Sequence, residues 1–297
     1  MNISINPNYF RGMRNGTDRS FDECIKLCYD AGFRVFDVSV DAWGTWTKDL
    51  DGQIDSIMNA AAKYGVTIEQ SHAPYNFYTR ASSEDFAKAL DKSVDAAIRM
   101  GVKNLVFHAD EYYPAADEPW DSNVGLIKVY DCLAPHIEKL TKGGVRAAIE
   151  TIFEDRTLKP KEGRRMHYCA DIEEVIAVID RFNDKMVGCC WDFGHAKLAV
   201  GNENHVEAIQ RVGSRIICTH VHDNYYSDTH TQPFLGNANW EQLMPALKET
   251  GYSGSLTFEM NYGYMHDELI TGWVSQLYQT GEILARMFEG KDFGNGK

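Results

Sequence analysis

Six short apolar, β-prone runs of the chain end on side chains that bind metal ions or move protons: His72, His108, Glu150, Asp192, His220 or His222, and Glu259. One such residue closing one run would mean little, because a buried His or Glu is more often a core group satisfied by hydrogen bonds. Six together need compensation, since crowded carboxylates and imidazoles repel and lose hydration unless a cation or hydrogen bonds offset the cost. A divalent metal centre is therefore the expectation. In WDFGHAKL, Asp192 and His195 stand three apart where a strand turns into a helix, so both can face one pocket. His220 and His222 point to the same side of a strand, because the side-chain period is two, and this leaves open which of them ligates. Asp228 and His230, in SDTHTQPFLGN, read equally well as further ligands, supporting groups or solvated loop residues. His136, His167, His205 and His266 fall away from the strand ends, where a surface histidine is the default, and receive no role.

A recurring unit positions these groups: a helical stretch closes on a glycine and a β-prone run follows. It occurs at Gly32 before FRVFDV, Gly65 before VTIEQSH, Gly101 before VKNLVFH, Gly144 before VRAAIE, Gly213 before SRIICTHVH and Gly251 before YSGSLTFE. With ISINP at the N-terminus and MVGCCWDF after a helix around Asp171 to Arg181, eight strands alternate with helices, which implies a parallel sheet. Eight units of one hand close into a single (β/α)8 TIM barrel. A doubly wound sheet usually has fewer strands, and no G-x-G-x-x-G follows the first one here. The barrel would occupy residues 1–290, with 291–297 as a frayed tail. Four connections after strand ends look long: Asp41 to Asp49, Asp110 to Asn123, Thr151 to Met166 and Asp223 to Asn239. Active sites of α/β barrels are built on that face.

Composition narrows the partners. A length of 297 residues fits one large α/β barrel, and 44% hydrophobic with 25% charged residues is ordinary for a globular chain with a sizeable core. The formal charge of −13 disfavours nucleic acid, because a polyanion would meet long-range repulsion unless basic residues gather on one face. No basic stretch followed by an apolar run opens the chain, and no apolar run approaches the ~18 residues of a membrane span, so a cytoplasmic protein without membrane contact is expected. A homo-oligomer is compatible with all of this. The seven cysteines contain no C-x-x-C and read as reduced structural thiols; Cys189 and Cys190, adjacent in a strand, must point to opposite faces and so do not share one metal.

The ordered set HAPY at His72, FHAD at His108, AIET at Glu150, WDFGHA at Asp192, HVHDN at His220, DTH at Asp228 and FEM at Glu259 resembles the xylose isomerase-like barrel superfamily over nearly the whole chain. That superfamily includes sugar isomerases and epimerases, inosose-processing enzymes and the endonuclease IV relatives. Resemblance to the epimerase branch implies that Glu150, Asp192, His220 and Glu259 bind one metal and that the two glutamates also move protons. His220 is preferred to His222 because His220 is followed by Asp223 in the family's H-x-x-D pattern. Resemblance to the endonuclease branch implies a trinuclear zinc site that adds His72, His108, His195, Asp228 and His230. The acidic charge and the segment PFLGNANW, closer to the glycine-containing turn of the sugar enzymes, favour the first branch.

Three carboxylates and one imidazole suit Mn²⁺ or Mg²⁺, with Co²⁺ or Zn²⁺ also accommodated. The expected chemistry is deprotonation next to a carbonyl of a sugar, polyol or sugar conjugate through an enediolate, with Glu150 and Glu259 as base and acid. Proton return to the opposite face epimerises, return to the neighbouring carbon isomerises, and loss of a β-leaving group gives dehydration or eliminative deglycosylation. The main alternative is an endonuclease IV-like zinc phosphodiesterase acting on abasic DNA. Trp43, Trp46, Tyr75, Tyr112, Tyr113 and Trp120, in or near the long connections, offer flat faces to a sugar ring, against the plainer role of loop packing. The basic run from Lys159 to Arg165 offers an anion site, against the plainer role of a solvated loop.

Overall fold

The computed structural model describes residues 1–13, 16–43, 49–76, 81–109, 111–114, 118–154, 165, 167–261 and 265–291. Its eight strands are β1 (Ile3–Ile5), β2 (Val35–Asp37), β3 (Thr67–His72), β4 (Asn104–Phe107), β5 (Arg146–Glu150), β6 (Val187–Asp192), β7 (Ile216–His220) and β8 (Leu256–Phe258). They form one parallel sheet in the order β7-β6-β5-β4-β3-β2-β1-β8. A parallel bridge from Val221, just past β7, to Phe258 of β8 brings the two ends of the sheet together. The architecture is the expected TIM barrel.

Nine α-helices occur among the described residues: α1 (Phe21–Ala31), α2 (Leu50–Tyr64), α3 (Ser83–Met100), α4 (Ser122–Lys142), α5 (Ile172–Phe182), α6 (Phe193–Val200), α7 (His205–Val212), α8 (Trp240–Glu249) and α9 (Asp267–Glu289). None is long and apolar enough to cross a membrane. Helix α1 shows how local sequence sets the boundaries. Ser20 and Glu23 make a reciprocal capping box at its start, and Gly32 closes it with φ of 118°. A Cβ on Gly32 would also stand 2.9 Å from the Tyr278 ring of α9, so both backbone and packing require glycine there. Helix α5 ends instead on Asn183 in the left-handed region, a cap that a search for glycine misses.

All six residues of β6 are buried, as expected for a strand covered on both faces. The alternation within it is visible in the packing. Cys189 and Trp191 belong to the large cluster between sheet and helices, whereas Cys190 belongs to a small cluster with Val106, Ala148 and Cys218. Each member of the small cluster stands two positions before a candidate ligand: His108, Glu150, Asp192 and His220. Period two therefore puts a layer of small apolar side chains one step deeper in the barrel, directly supporting the polar layer at its mouth. None of the seven cysteines forms a disulfide, and Cys189 and Cys190 fall on opposite faces as expected.

Candidate metal centre and active site

The ends of β3, β5, β6 and β7 and the residues just past β4 and β8 converge on Glu150. Its Oε1 lies 2.6 Å from Nδ1 of His220, and its Oε2 lies 3.0 Å from Nε2 of His72 and 2.9 Å from Nε2 of His108. The same Nδ1 of His220 stands 3.3 Å from Oε2 of Glu259 and 3.8 Å from Oδ2 of Asp192. Asp192 serves twice: it ends β6 and, as N-cap of α6, its Oδ1 accepts from the His195 backbone N–H at 2.7 Å. His195 points Nδ1 at the Thr151 carbonyl, 3.0 Å away, and Nε2 toward Asp228, 3.5 Å away.

The segment carrying Asp228 and His230 is shaped by Asn224, whose Oδ1 accepts from the backbone N–H groups of Thr229 at 2.7 Å and His230 at 3.2 Å. His230 Nε2 then meets Asp228 at 3.1 Å, and the ring stacks on His222 with centroids 3.9 Å apart. His222 Nε2 lies 2.9 Å from Asp192. Gly194 makes this possible, because a Cβ there would stand 2.0 Å from the His222 ring.

Among the described residues, three ligand-type groups of histidine and carboxylate alone result, each with donor atoms within 4.8 Å of one another: Glu150, Asp192, His220 and Glu259; His72, His108 and Glu150; and His195, His222, Asp228 and His230. Cys190, beside Glu150 in strand register, also comes within this range of Glu150 and His220, which sequence reasoning did not foresee. The first group fits a divalent ion. Three buried carboxylates face one imidazole, and among the described residues no lysine or arginine pairs with any of them. Histidine protons supply the compensation. Burial pushes the Glu150 carboxyl up, but His220 and His108 outweigh it and hold it well below the usual range. Burial likewise pushes Asp192 and Glu259 up, and neighbouring imidazoles outweigh it and hold both below the usual carboxylate range. In return, and against burial, Glu259 and Glu150 raise His220 well above its ordinary value, and Asp192 and Asp228 do so for His195.

Above this centre lies a cavity of about 700 Å³, lined by His72, His108, His195, Asp228, His230 and Glu259 together with Tyr9, Arg11, Trp43, Tyr75, Phe153 and His167. Tyr75 stacks on His108 with centroids 4.6 Å apart, and Trp43 stacks on Phe86 at 6.0 Å. Tyr112 and Trp120 are not among the described residues lining the cavity. They pack against each other and Tyr168, with Trp120 Nε1 donating to Glu174 at 3.0 Å, because helices α4 and α5 draw that connection outward. Trp46 and, apart from Arg165, the basic run from 159 to 165 lie outside the described residues, as do residues 292–297 of the expected tail. Arg165 binds Glu174 through both terminal nitrogens, at 2.8 and 3.0 Å.

Three histidines taken as surface groups are buried. His136 pairs with Asp91 at 3.0 Å, His167 lines the cavity, and His205 is enclosed beside Trp191 and Phe193. Sequence reading also missed Tyr9, whose hydroxyl donates to Glu259 at 2.9 Å, and the buried Asp37 and Gln70 behind His220. A polar residue near the end of a β-prone run, Asp37 in FRVFDV and Gln70 in VTIEQSH, was the available signal for the last two.

A family model described as a xylose isomerase-like TIM barrel matches residues 25–278. The protein y4fM of Sinorhizobium fredii is 24% identical over 275 residues, covering 82% of this chain and 83% of its own. A D-tagatose 3-epimerase-like protein of solved structure superposes with a TM-score of 0.72 at 21% identity, covering 98% of both chains. The 3-keto-D-glucoside 4-epimerase YcjR from E. coli does so with a TM-score of 0.67 at 16% identity, covering 94% of this chain and 99% of its own. These two solved structures share the fold.

Proposed function

The chain belongs to the xylose isomerase-like TIM barrel family, and from that membership we propose that it is a metal-dependent isomerase or epimerase of a sugar or sugar conjugate. The observation that carries this reading is the approach of two carboxylates from different strands to one imidazole nitrogen: Glu150 at 2.6 Å and Glu259 at 3.3 Å from Nδ1 of His220. Epimerases among the solved structures of the same fold support it.

In this reading Glu150, Asp192, His220 and Glu259 hold the ion, with Mn²⁺ or Mg²⁺ favoured by the oxygen-rich set and Co²⁺ or Zn²⁺ accommodated. When bound, a divalent cation polarises a carbonyl and makes the neighbouring C–H more acidic. One glutamate takes that proton and the other returns one, to the opposite face of the same carbon for an epimer or to the adjacent carbon for an isomer. Tyr9 holds Glu259 by its hydroxyl, so the carboxylate meets the substrate in one orientation. Tyr75 and Trp43 supply aromatic cavity wall against which the apolar face of a sugar ring can lie.

Incubation of the metal-loaded protein with candidate ketoses in deuterated water should place label on the carbon beside the carbonyl. Absence of label with every ketose tested would remove the reading.

A second reading has its own observation. The three ligand-type groups share Glu150 or adjoin it, an arrangement that suits several ions and hydrolysis of an abasic phosphodiester. Against it stand the −13 charge and a cavity in which Arg11 is the one Lys or Arg among the described lining residues, beside Asp18, Asp41, Asp228 and Glu259. Metal analysis separates the two: about three zinc ions per chain together with cleavage of an abasic duplex would install the hydrolase, whereas one exchangeable Mn²⁺ or Mg²⁺ would support the isomerase.

A further inference from the structure

Glu150 and Cys190 are partners in the register of β5 with β6, whereas Asp192, two residues further along β6, pairs with His220 of β7. The stagger of neighbouring barrel strands thus sets the backbone of Glu150 level with the small layer beneath the mouth, while its carboxylate reaches His220 at 2.6 Å. That layer is Val106, Ala148, Cys190 and Cys218. Methyl groups fill such a layer as well as sulfur does, and only the cysteines bring a soft donor to it. Donor atoms of Glu150, Cys190 and His220 all lie within 4.8 Å of one another, and the three residues are fully buried.

Two sets of ligands therefore share Glu150 and His220. With Asp192 and Glu259 they offer three carboxylates and an imidazole, the hard set that suits Mn²⁺ or Mg²⁺. With Cys190 they offer a carboxylate, a sulfur and an imidazole, which suits a softer ion. A cation bound there expels the thiol proton to water and is met by one carboxylate and one thiolate charge. The buried assembly is then neutral, the arrangement that costs least away from water. We propose that Glu150, Cys190 and His220 form a second, thiolate-containing site for a soft divalent cation such as Cd²⁺, which excludes the hard ion because both need Glu150 and His220. Occupation takes Glu150 away from proton transfer, so a soft ion held there inhibits turnover. The proposal rests on the metal reading of the centre, from which it borrows two ligands.

Titration of the Mn²⁺-loaded protein with Cd²⁺ tests it. An ultraviolet thiolate-to-cadmium charge-transfer band should grow and saturate as the electron paramagnetic resonance signal of free Mn²⁺ returns. Cys190→Ser should lose the band and keep its Mn²⁺ affinity. Cys218, beside Cys190 in register, is the control, and Cys218→Ser should keep the band. Absence of the band in the wild type, a measurement that needs no variant to fold, overturns the thiolate site and leaves the metal centre standing. A band that persists in Cys190→Ser, or one that grows without release of Mn²⁺, does the same. A wild-type protein that takes up neither Mn²⁺ nor Cd²⁺ overturns both.

Discussion

Oε1 of Glu150 lies 2.6 Å from Nδ1 of His220, joining the ends of β5 and β7 across the end of β6. Only a curved parallel sheet with its strand ends at one level makes this contact, and it draws Asp192 and Glu259 into the same space.

The pair Glu150 and Glu259 should be indispensable to turnover. Glu150→Gln and Glu259→Gln keep size and remove the charge that accepts a proton. Each should lower kcat by about 10²–10⁴-fold, the range of a general acid or base, measured as deuterium entry with a ketose that the wild type labels. Metal content measured alongside separates loss of the ion from loss of proton transfer, and unchanged label entry would exclude that glutamate from the reaction.

Metal uptake should release protons. His220 is raised well above the ordinary imidazole value, so it carries charge near pH 7 in the metal-free protein, and ligation requires the neutral ring. Calorimetric titration of Mn²⁺ in buffers of different ionisation enthalpy should report release of roughly one proton or more per ion, and affinity should rise with pH. Identical apparent enthalpies in all buffers would contradict this.

The metal-free fold should lose stability on the alkaline side. Burial lowers His230, but Asp228 and Glu259 outweigh it and raise the ring from 6.5 to about 9. A raised folded pKa contributes in full below the unfolded value of 6.5 and is lost as pH climbs through about 9. The loss is of the order of 3 kcal/mol. Asp228, also held by His195, is lowered, so its own contribution is lost on acidification instead. Urea unfolding in chelator at pH 6 and pH 9.5 should show the fall, and His230→Asn should shrink it; a flat profile in both proteins would refute the assignment.

Lys197 and Asp223 form a buried ion pair at 3.0 Å behind the centre, and Lys197 Nζ also donates to the Asn224 carbonyl. Asp223 in turn accepts from Trp240 Nε1 at 3.0 Å, tying α8 to the segment that carries Asp228 and His230. Lys197→Met removes one partner and leaves a buried carboxylate uncompensated, a loss of about 3–5 kcal/mol. Equilibrium unfolding measures it, and a change under about 1 kcal/mol would mean that water or another group replaces the lysine.

The strand ends were readable because each apolar run stops where the chain leaves the barrel, and a polar residue at that point must face its mouth. Capping chemistry was readable for the same local reason at Ser20, Glu23 and Gly32. Burial of single polar residues was not. His205 and His167 look like surface groups in their segments, and only the packing of α7 on β6 and of the β5 connection over the cavity encloses them. Tyr112 and Trp120 share a connection that promised ring stacking, yet α4 and α5 claim them for packing.

Alone, the amino-acid order determined the repeating strand and helix, the parallel barrel and the residue types that close its strands, because hydrophobic period and capping act over a few neighbours. Tertiary structure decided which of those residues share an atom's reach: that His220 meets Glu150 and Glu259, that His222 stacks on His230, and that Asp37 stands behind His220. Such contacts join positions up to 183 residues apart along the chain, and their geometry comes from strand tilt and register, which no local pattern encodes.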